Sequence, residues 1–181
     1  LFSTRGYVAT SLADIARASD ISKAGLLHHY SSKDQLLAAV LDERDRRTMS
    51  RLPDGDKGTE AALDAWVEMI AHNQRHPDGV ALYTAMSAAV IDADHQAHPW
   101  FREHLLGAIS YLMNALERGK AMGEVRPGAP SEKIARKLVG LSDGLQVQWL
   151  CSRADGGADV DMREVMAGMV ADVKDRWLVR S

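Results

Sequence analysis

A short stretch near the N-terminus contains side chains that could contact phosphates and base edges, because they are small, basic or imidazole groups. These residues are Ser22, Lys23, Ala24, Gly25, His28, His29 and Lys33. Small residues at the start of a helix let its free backbone N–H groups approach a phosphate, and lysine adds the opposite charge. The pattern predicts a nucleic-acid contact if a short helix presents these residues at the surface.

Metal or nucleophilic chemistry is a weaker alternative. His72 and His76 are four residues apart and would share a helix face, and His95 and His98 flank an acidic run. Neither pair has further ligands at the spacing typical of zinc sites. Cys151 is the only cysteine and has no motif around it. We therefore predict no metal, no cofactor and no enzyme, with a helical metal-binding enzyme as the less favoured alternative.

The composition bounds the class of protein. Of 181 residues, 46% are hydrophobic and only 5 are proline, which favours a globular helical protein. A net charge of −3 excludes a strongly basic surface, so any nucleic acid must be held by a few positioned cations. No apolar run approaches the roughly 18 residues of a membrane span. The single cysteine favours a reducing, cytoplasmic setting.

Two short helices must position the candidate contacts. Thr10 or Ser11 can cap a helix over 12–18, and Ser22 can cap another over 23–30, with a three-residue turn between them. The apolar residues whose spacing lets these helices pack are Ala13, Ile15, Ala16, Ile21 and Leu26. The arrangement is typical of a helix-turn-helix, which lays its second helix in the major groove of DNA.

Beyond these helices the pattern is helical throughout. Within a charged run at 42–47, the cluster Arg44-Asp45-Arg46-Arg47 is expected to be a solvated helix face, with a helix end near DNA as the alternative. The stretch at 53–58, with its proline and glycines, is the clearest linker. Apolar residues then recur at helical spacing, with no sustained strand-like alternation. We predict an all-α fold of about nine helices, the first truncated. Its parts are an N-terminal helix-turn-helix DNA-binding domain over 1–47 and a helical ligand-binding and dimerisation domain over 48–181.

Residues 1–41 closely resemble the DNA-binding domain of the TetR family of transcriptional regulators. The matching elements follow a fixed order: Phe2, Gly6, Tyr7, Thr10, Asp14-Ile15-Ala16, Ile21-Ser22-Lys23, His28-His29-Tyr30, Ser32-Lys33 and Leu36-Leu37. In that family the first helix would begin before Leu1, so the resemblance implies that its upstream part is missing from this chain.

The resemblance assigns roles to individual residues. It implies phosphate contacts from Thr10 and Lys33. It implies that Ser22 and Lys23 contact bases or nearby phosphates and that His28 contacts the DNA backbone. These roles place the helix beginning near Ser22 in the groove.

Three departures from the family pattern leave the operator sequence open. The usual turn glycine is Asp20, which tolerates the left-handed backbone region better than most residues. The usual Gly-Thr pair is Ala24-Gly25. The usual tyrosine is Leu27, which cannot donate to a phosphate but could touch a thymine methyl group.

The second half of the chain resembles the C-terminal domain of the same family more loosely. In that family the last two helices pair with their copies in a second chain. Gly140 and Gly144 lie one helical turn apart, and each costs about 1 kcal/mol relative to alanine, which indicates close packing there. Gly168 and Ala171 offer small partners on the last helix. We predict a homodimer interface, with packing inside one chain as the alternative.

Large, adaptable or amphipathic side chains are spread over the helices of the second half. They are Trp66, Met69, Tyr83, Met86, Tyr111, Met113 and Trp149. Such residues line apolar pockets, although ordinary core packing is the alternative interpretation. We predict a small-molecule effector and favour a homodimeric repressor that leaves a pseudo-palindromic double-stranded DNA operator when the effector binds. A ligand-independent or activating regulator with the same DNA-binding head is the alternative.

Overall fold

The computed structural model describes residues 1–53, 57–154, 156 and 160–179. Part of the linker expected at 53–58 lies outside the described residues. Within them the chain forms nine α-helices: α1 Phe2–Arg5, α2 Leu12–Ala18, α3 Lys23–His29, α4 Lys33–Met49, α5 Gly58–Gln74, α6 Pro77–Ala89, α7 His98–Ala121, α8 Ser131–Ala154 and α9 Met162–Trp177. The predicted all-α class is confirmed. We call α1–α4 the head and α5–α9 the body.

Serine caps set the starts of three head helices. The Ser11 Oγ accepts a hydrogen bond from the Asp14 N–H at 3.1 Å, and the Asp14 carboxylate accepts one from the Ser11 N–H at 3.1 Å. Ser22 caps α3 and Ser32 caps α4 in the same manner, each accepting from the N–H three residues later. Each cap satisfies a helix N–H that lacks a backbone partner and contributes about 1 kcal/mol. Local sequence therefore fixes where α2, α3 and α4 begin.

The turn between α2 and α3 depends on Asp20. Its φ is 54°, in the left-handed region, and no other non-glycine residue of the described chain has a positive φ. The Ile21 N–H then donates to the Ala16 carbonyl at 3.0 Å and closes the end of α2. The prediction that Asp20 can take the place of a turn glycine is confirmed.

Packing between α2 and α3 uses fewer apolar residues than expected. Ala16 and Leu26 are buried and Ile15 is half-buried. Ala13 is exposed, and Ile21 is 45% exposed. The prediction was wrong for Ala13 and Ile21, because Ala13 faces away from α3 and the left-handed turn carries Ile21 outward.

The buried apolar residues form two clusters. The body core joins α5 through α9 around fully buried residues such as Leu112 and Leu138. The head core contains Leu37 and Leu41 of α4, both 0% exposed, and extends into the body through Leu82 of α6. Because one cluster includes residues of α4, α6 and α7, the head is packed directly onto the body. No helix of the described residues is both long and apolar enough to cross a membrane.

Candidate nucleic-acid interface

One face of α3 is open to solvent. Lys23, Ala24, Leu27 and His28 are exposed on this face, because residues four apart lie on the same side of a helix. Leu26 points the other way and is 4% exposed within the head core. The Lys23 ammonium forms no ion pair with a described residue, so its charge is available to a partner. The helix therefore presents a cation beside small and apolar groups.

Ser22, Gly25 and His29 complete the same surface. Ser22 is exposed, and its Oγ accepts a hydrogen bond from the Gly25 N–H at 2.9 Å. A Cβ at Gly25 would lie 3.1 Å from that oxygen, so the cap and the small residue fit together. His29 is exposed with its ring centroid 5.4 Å from that of His28. Seven of the nine predicted DNA contacts thus lie together on or beside α3.

Thr10 is not part of the exposed set. Its side chain is 1% exposed, and its hydroxyl donates to the Gly6 carbonyl at 2.7 Å. A phosphate contact through this hydroxyl would need the bond to Gly6 to open. The structure gives Thr10 a packing position between α1 and α2, because Ser11 serves as the cap of α2 instead.

Lys33 fastens the loop between α1 and α2 to the start of α4. Its Nζ donates to the carbonyls of Tyr7 at 2.9 Å and Thr10 at 3.1 Å and lies 4.2 Å from the Tyr7 ring centroid. The Tyr7 hydroxyl donates to the Asp34 carboxylate on the same helix. An ammonium has three N–H groups, so one remains for a phosphate. Sequence reasoning did not predict the two backbone contacts, which join residues more than twenty positions apart.

Residues 1–40 match the family model described as bacterial regulatory proteins, tetR family. The A-factor receptor protein of Streptomyces griseus is 25% identical over 177 residues, which cover 93% of this chain and 56% of that protein. The transcriptional repressor AcnR of Corynebacterium diphtheriae is 22% identical over 171 residues, which cover 94% of this chain and 84% of that protein. The crystal structure of a TetR transcription regulator from Haloarcula marismortui superposes with a TM-score of 0.83 at 21% identity. The superposition covers 98% of this chain and 92% of that one. The family model and the shared fold both point to the TetR family of transcriptional regulators.

The body of the chain leaves its predicted dimer residues uncovered. Gly140, Gly168 and Ala171 are exposed and Gly144 is half-buried. A Cβ built at any of the three glycines meets no heavy atom within 4 Å, apart from the local helix backbone. Packing inside one chain therefore does not explain these glycines, whose cost to helix stability remains to be offset by another contact.

The predicted pocket residues of the body separate into two groups. Trp66, Met69 and Tyr83 line a cavity of about 30 Å³ between α4, α5, α6, α7 and α8, which we call the inner cavity. The Trp66 Nε1–H donates to the Ser142 Oγ at 3.1 Å beside it. The others do not line the inner cavity: Met86 and Trp149 are buried in the cores, and Tyr111 and Met113 are half-buried.

Polar residues that the sequence did not single out for a pocket also line the inner cavity. The Tyr83 hydroxyl donates to the Asp143 carboxylate at 3.2 Å, and burial raises the pKa of both groups. The His104 Nδ1 lies 2.9 Å from an Asp45 carboxylate oxygen. Gln146 is 4% exposed, and its Oε1 accepts no hydrogen bond from a described residue.

The charged run at 42–47 only partly forms a solvated face. Arg46 and Arg47 are exposed and pair with Glu43, as such a face would. Arg44 and Asp45 are half-buried and turn towards the inner cavity, so the prediction was wrong for these two. Helical periodicity places them opposite Arg46, but only the docking of α4 on the body buries that side.

Proposed function

We propose that this TetR-family protein is a sequence-specific DNA-binding regulator that inserts α3 into the major groove. The exposed face of α3 carries the proposal, because it presents the free Lys23 ammonium and the 39% exposed Leu27 on the same side. Lysine there binds a phosphate or guanine, and leucine fits a thymine methyl group. Ser22, Ala24 and Gly25 are small and let the helix approach the DNA closely, and His28, His29 and Lys33 supply the remaining proposed contacts to the DNA backbone.

We further propose that the protein acts as a homodimer on a pseudo-palindromic operator in the cytoplasm. The outer faces of α8 and α9, with their uncovered glycines, are the surface offered to a second copy. A twofold axis through that surface would give the dimer two copies of α3. The two helices would bind DNA half-sites whose centres are about 34–36 Å apart. The DNA-binding unit is residues 1–47, and the unit for dimerisation and effector binding is residues 48–181.

The proposed regulation is repression relieved by a small molecule bound within the body. Trp66, Met69 and Tyr83 around the inner cavity are the predicted lining residues that support an effector site there. Because this cavity measures only about 30 Å³, an effector would have to enlarge it by displacing these side chains. A ligand releases DNA only if it binds the non-binding conformation more tightly than the binding one. Because Tyr83 also belongs to the head core, displacement of this side chain would change how the head sits on the body.

The test is selection of bound sequences from random duplex DNA with the full chain, followed by affinity measurements at several salt concentrations. We expect an enriched inverted repeat, and we expect Lys23→Ala to weaken binding while lowering the salt slope by about two units, one from each protomer of the dimer. Leu27→Ala should change the enriched bases. Lys57→Ala is the matched control, because Lys57 is exposed at the start of α5 in the body. Failure to enrich any sequence would overturn the proposal.

A further inference from the structure

A second, larger cavity lies where the end of α5 turns into α6 and faces α4. Its volume is about 600 Å³, within the range of small-molecule sites, and we call it the outer pocket. Val40 and Ala39 of α4 and Val80 of α6 give it an apolar side. Arg44, Thr48 and Asn73 line both the outer pocket and the inner cavity, so these three residues stand between them.

Asn73 and Arg44 bring hydrogen-bond donors to this boundary without acceptors. Asn73 is 7% exposed, and its side-chain amide makes no hydrogen bond with another described residue. The half-buried Arg44 guanidinium has no carboxylate within 4.0 Å among the described residues and rests 4.8 Å from the Tyr83 ring centroid. These donors have no acceptor in the described chain and are still accessible from the pocket, so the boundary between the cavities is suited to an acceptor from outside the chain.

The electrostatics of the outer pocket favour a negative ligand. Its cationic or protonatable lining residues are Arg44, Arg47, His72, Arg75 and His76. The two acidic ones are Glu43, which is held by Arg46 and Arg47, and Asp78 in the first turn of α6. The start of α6 adds the positive end of a helix dipole beside Arg44, whose Nε lies 3.6 Å from where a Gly79 Cβ would be. The three arginines of the lining therefore outnumber its two carboxylates.

We propose that the outer pocket binds a small organic oxyanion, a carboxylate or phosphate carried on an apolar body. Arg44 and Asn73 donate to the oxyanion, and the apolar body lies along Val40 and Val80. Binding of the anion does not depend on the function proposed above. Any effect of the anion on operator affinity does rest on the proposed function. Such an effect would follow from the position of the pocket between α4 of the head and the α5–α6 corner of the body.

The test is calorimetric titration of the full-length protein without DNA at neutral pH. The probes are benzoate and phenyl phosphate, with benzyl alcohol as the uncharged match and inorganic phosphate as the anion without an apolar body. We expect benzoate, phenyl phosphate or both to bind with a Kd of about 0.1–1 mM, a strength normal for ligands of this size. Benzyl alcohol and inorganic phosphate should bind at least about tenfold more weakly.

Variants assign the binding to the named donors. Arg44→Gln and Asn73→Leu should each weaken anion binding about tenfold or more, since each removes a buried donor. Arg136→Gln is the matched control, because it removes an exposed arginine from α8 and should leave binding unchanged. If circular dichroism shows that Arg44→Gln is misfolded, Asn73→Leu decides. Which anion binds identifies the oxyanion as carboxylate or phosphate.

Three results would overturn the inference: neither aromatic anion binds, benzyl alcohol binds equally well, or the folded donor variants bind like the wild type. The proposed function fails separately. Absence of anion binding with an enriched operator removes only the outer pocket, whereas anion binding without an operator removes only the DNA-binding role.

Discussion

Lys23 and Lys33 are both lysines of the head, but their surroundings give them different roles. Lys23 is exposed and unpaired within the described chain, whereas Lys33 is half-buried on two carbonyls. A charge-assisted hydrogen bond contributes about 1.5–3 kcal/mol. Lys33 is therefore a structural residue with one N–H to spare, while Lys23 has all of its donors available.

The first prediction separates these roles. Lys33→Ala should lower the thermal midpoint and weaken DNA binding similarly across sequences, since it removes the bonds to Tyr7 and Thr10 together with one cation. Lys23→Ala should leave the thermal midpoint unchanged. Calorimetry and anisotropy titrations on the same samples measure both effects. An unaltered midpoint in Lys33→Ala would contradict the fastening role of Lys33.

A second prediction at the residue scale concerns His72. Burial, with help from nearby cationic residues, lowers the pKa of His72 below its usual value of about 6.5. The groups that act on it are His76, Arg51 and Arg75. The other charged residues that line the same pocket are Glu43, Arg44, Arg47 and Asp78. A histidine with a lowered folded-state pKa stabilises the fold above its unfolded pKa, and that stability is lost as pH falls through the folded value.

Nuclear magnetic resonance titration of the His72 ring checks this shift. The ring should remain neutral to a lower pH than a histidine in a peptide. If an oxyanion occupies the outer pocket, benzoate should raise the His72 pKa, and by linkage benzoate should bind more tightly as pH falls through that range. Arg44→Gln, which removes the anion's partner, should abolish the benzoate effect. A titration curve identical to that of a free peptide would refute the lowered pKa.

At the scale of elements, α8 and α9 are well-formed helices with an uncovered outer side. Val147 of α8 is 47% exposed and Val165 of α9 is 44% exposed, alongside the glycines. Glycine at an exposed helix position costs about 1 kcal/mol relative to alanine, so a substitution there would stabilise an isolated chain. The same substitution would obstruct a close approach by a second copy.

This contrast gives a prediction for dimerisation. Gly168→Glu should leave the helical content intact but weaken self-association at least tenfold, because it places two buried charges in the proposed interface. Gly107→Glu on α7 is the control, since a Cβ there also meets no atom within 4 Å. Sedimentation velocity over a range of concentrations measures both. Equal association in the two variants would place the interface elsewhere.

Interactions between neighbouring residues predicted where the helices begin and end better than they predicted which residues line the candidate sites. The cap at Ser22 and the left-handed turn at Asp20 depend on neighbouring residues, so the sequence was sufficient for them. The inward turn of Arg44 and the burial of Thr10 depend on distant helices. Helical periodicity also predicted that Trp149 is one of the large buried residues. It could not tell whether such a residue packs in the core or lines a cavity, because both kinds of residue lie on the apolar face of a helix.

At the scale of the whole molecule, the head and body are joined by side chains rather than by a hinge. The Trp100 Nε1–H of α7 donates to the Asp42 carboxylate of α4 at 2.5 Å, and His104 meets Asp45 one turn further on. The Arg44 guanidinium lies over the Tyr83 ring. These contacts tie α4 to α6 and α7, so a shift in the body must displace the head or break them.

The shared core limits how this protein can be re-engineered. Leu37 and Leu41 belong to a buried cluster that also contains Leu82, Tyr83 and Met86 of the body helix α6. A fragment that ends after α4 would expose these apolar side chains to water and would be prone to aggregate. A chimera that joins this head to the ligand-binding domain of another protein would therefore need α6 as well, or a redesign of the α4 surface that packs on the body.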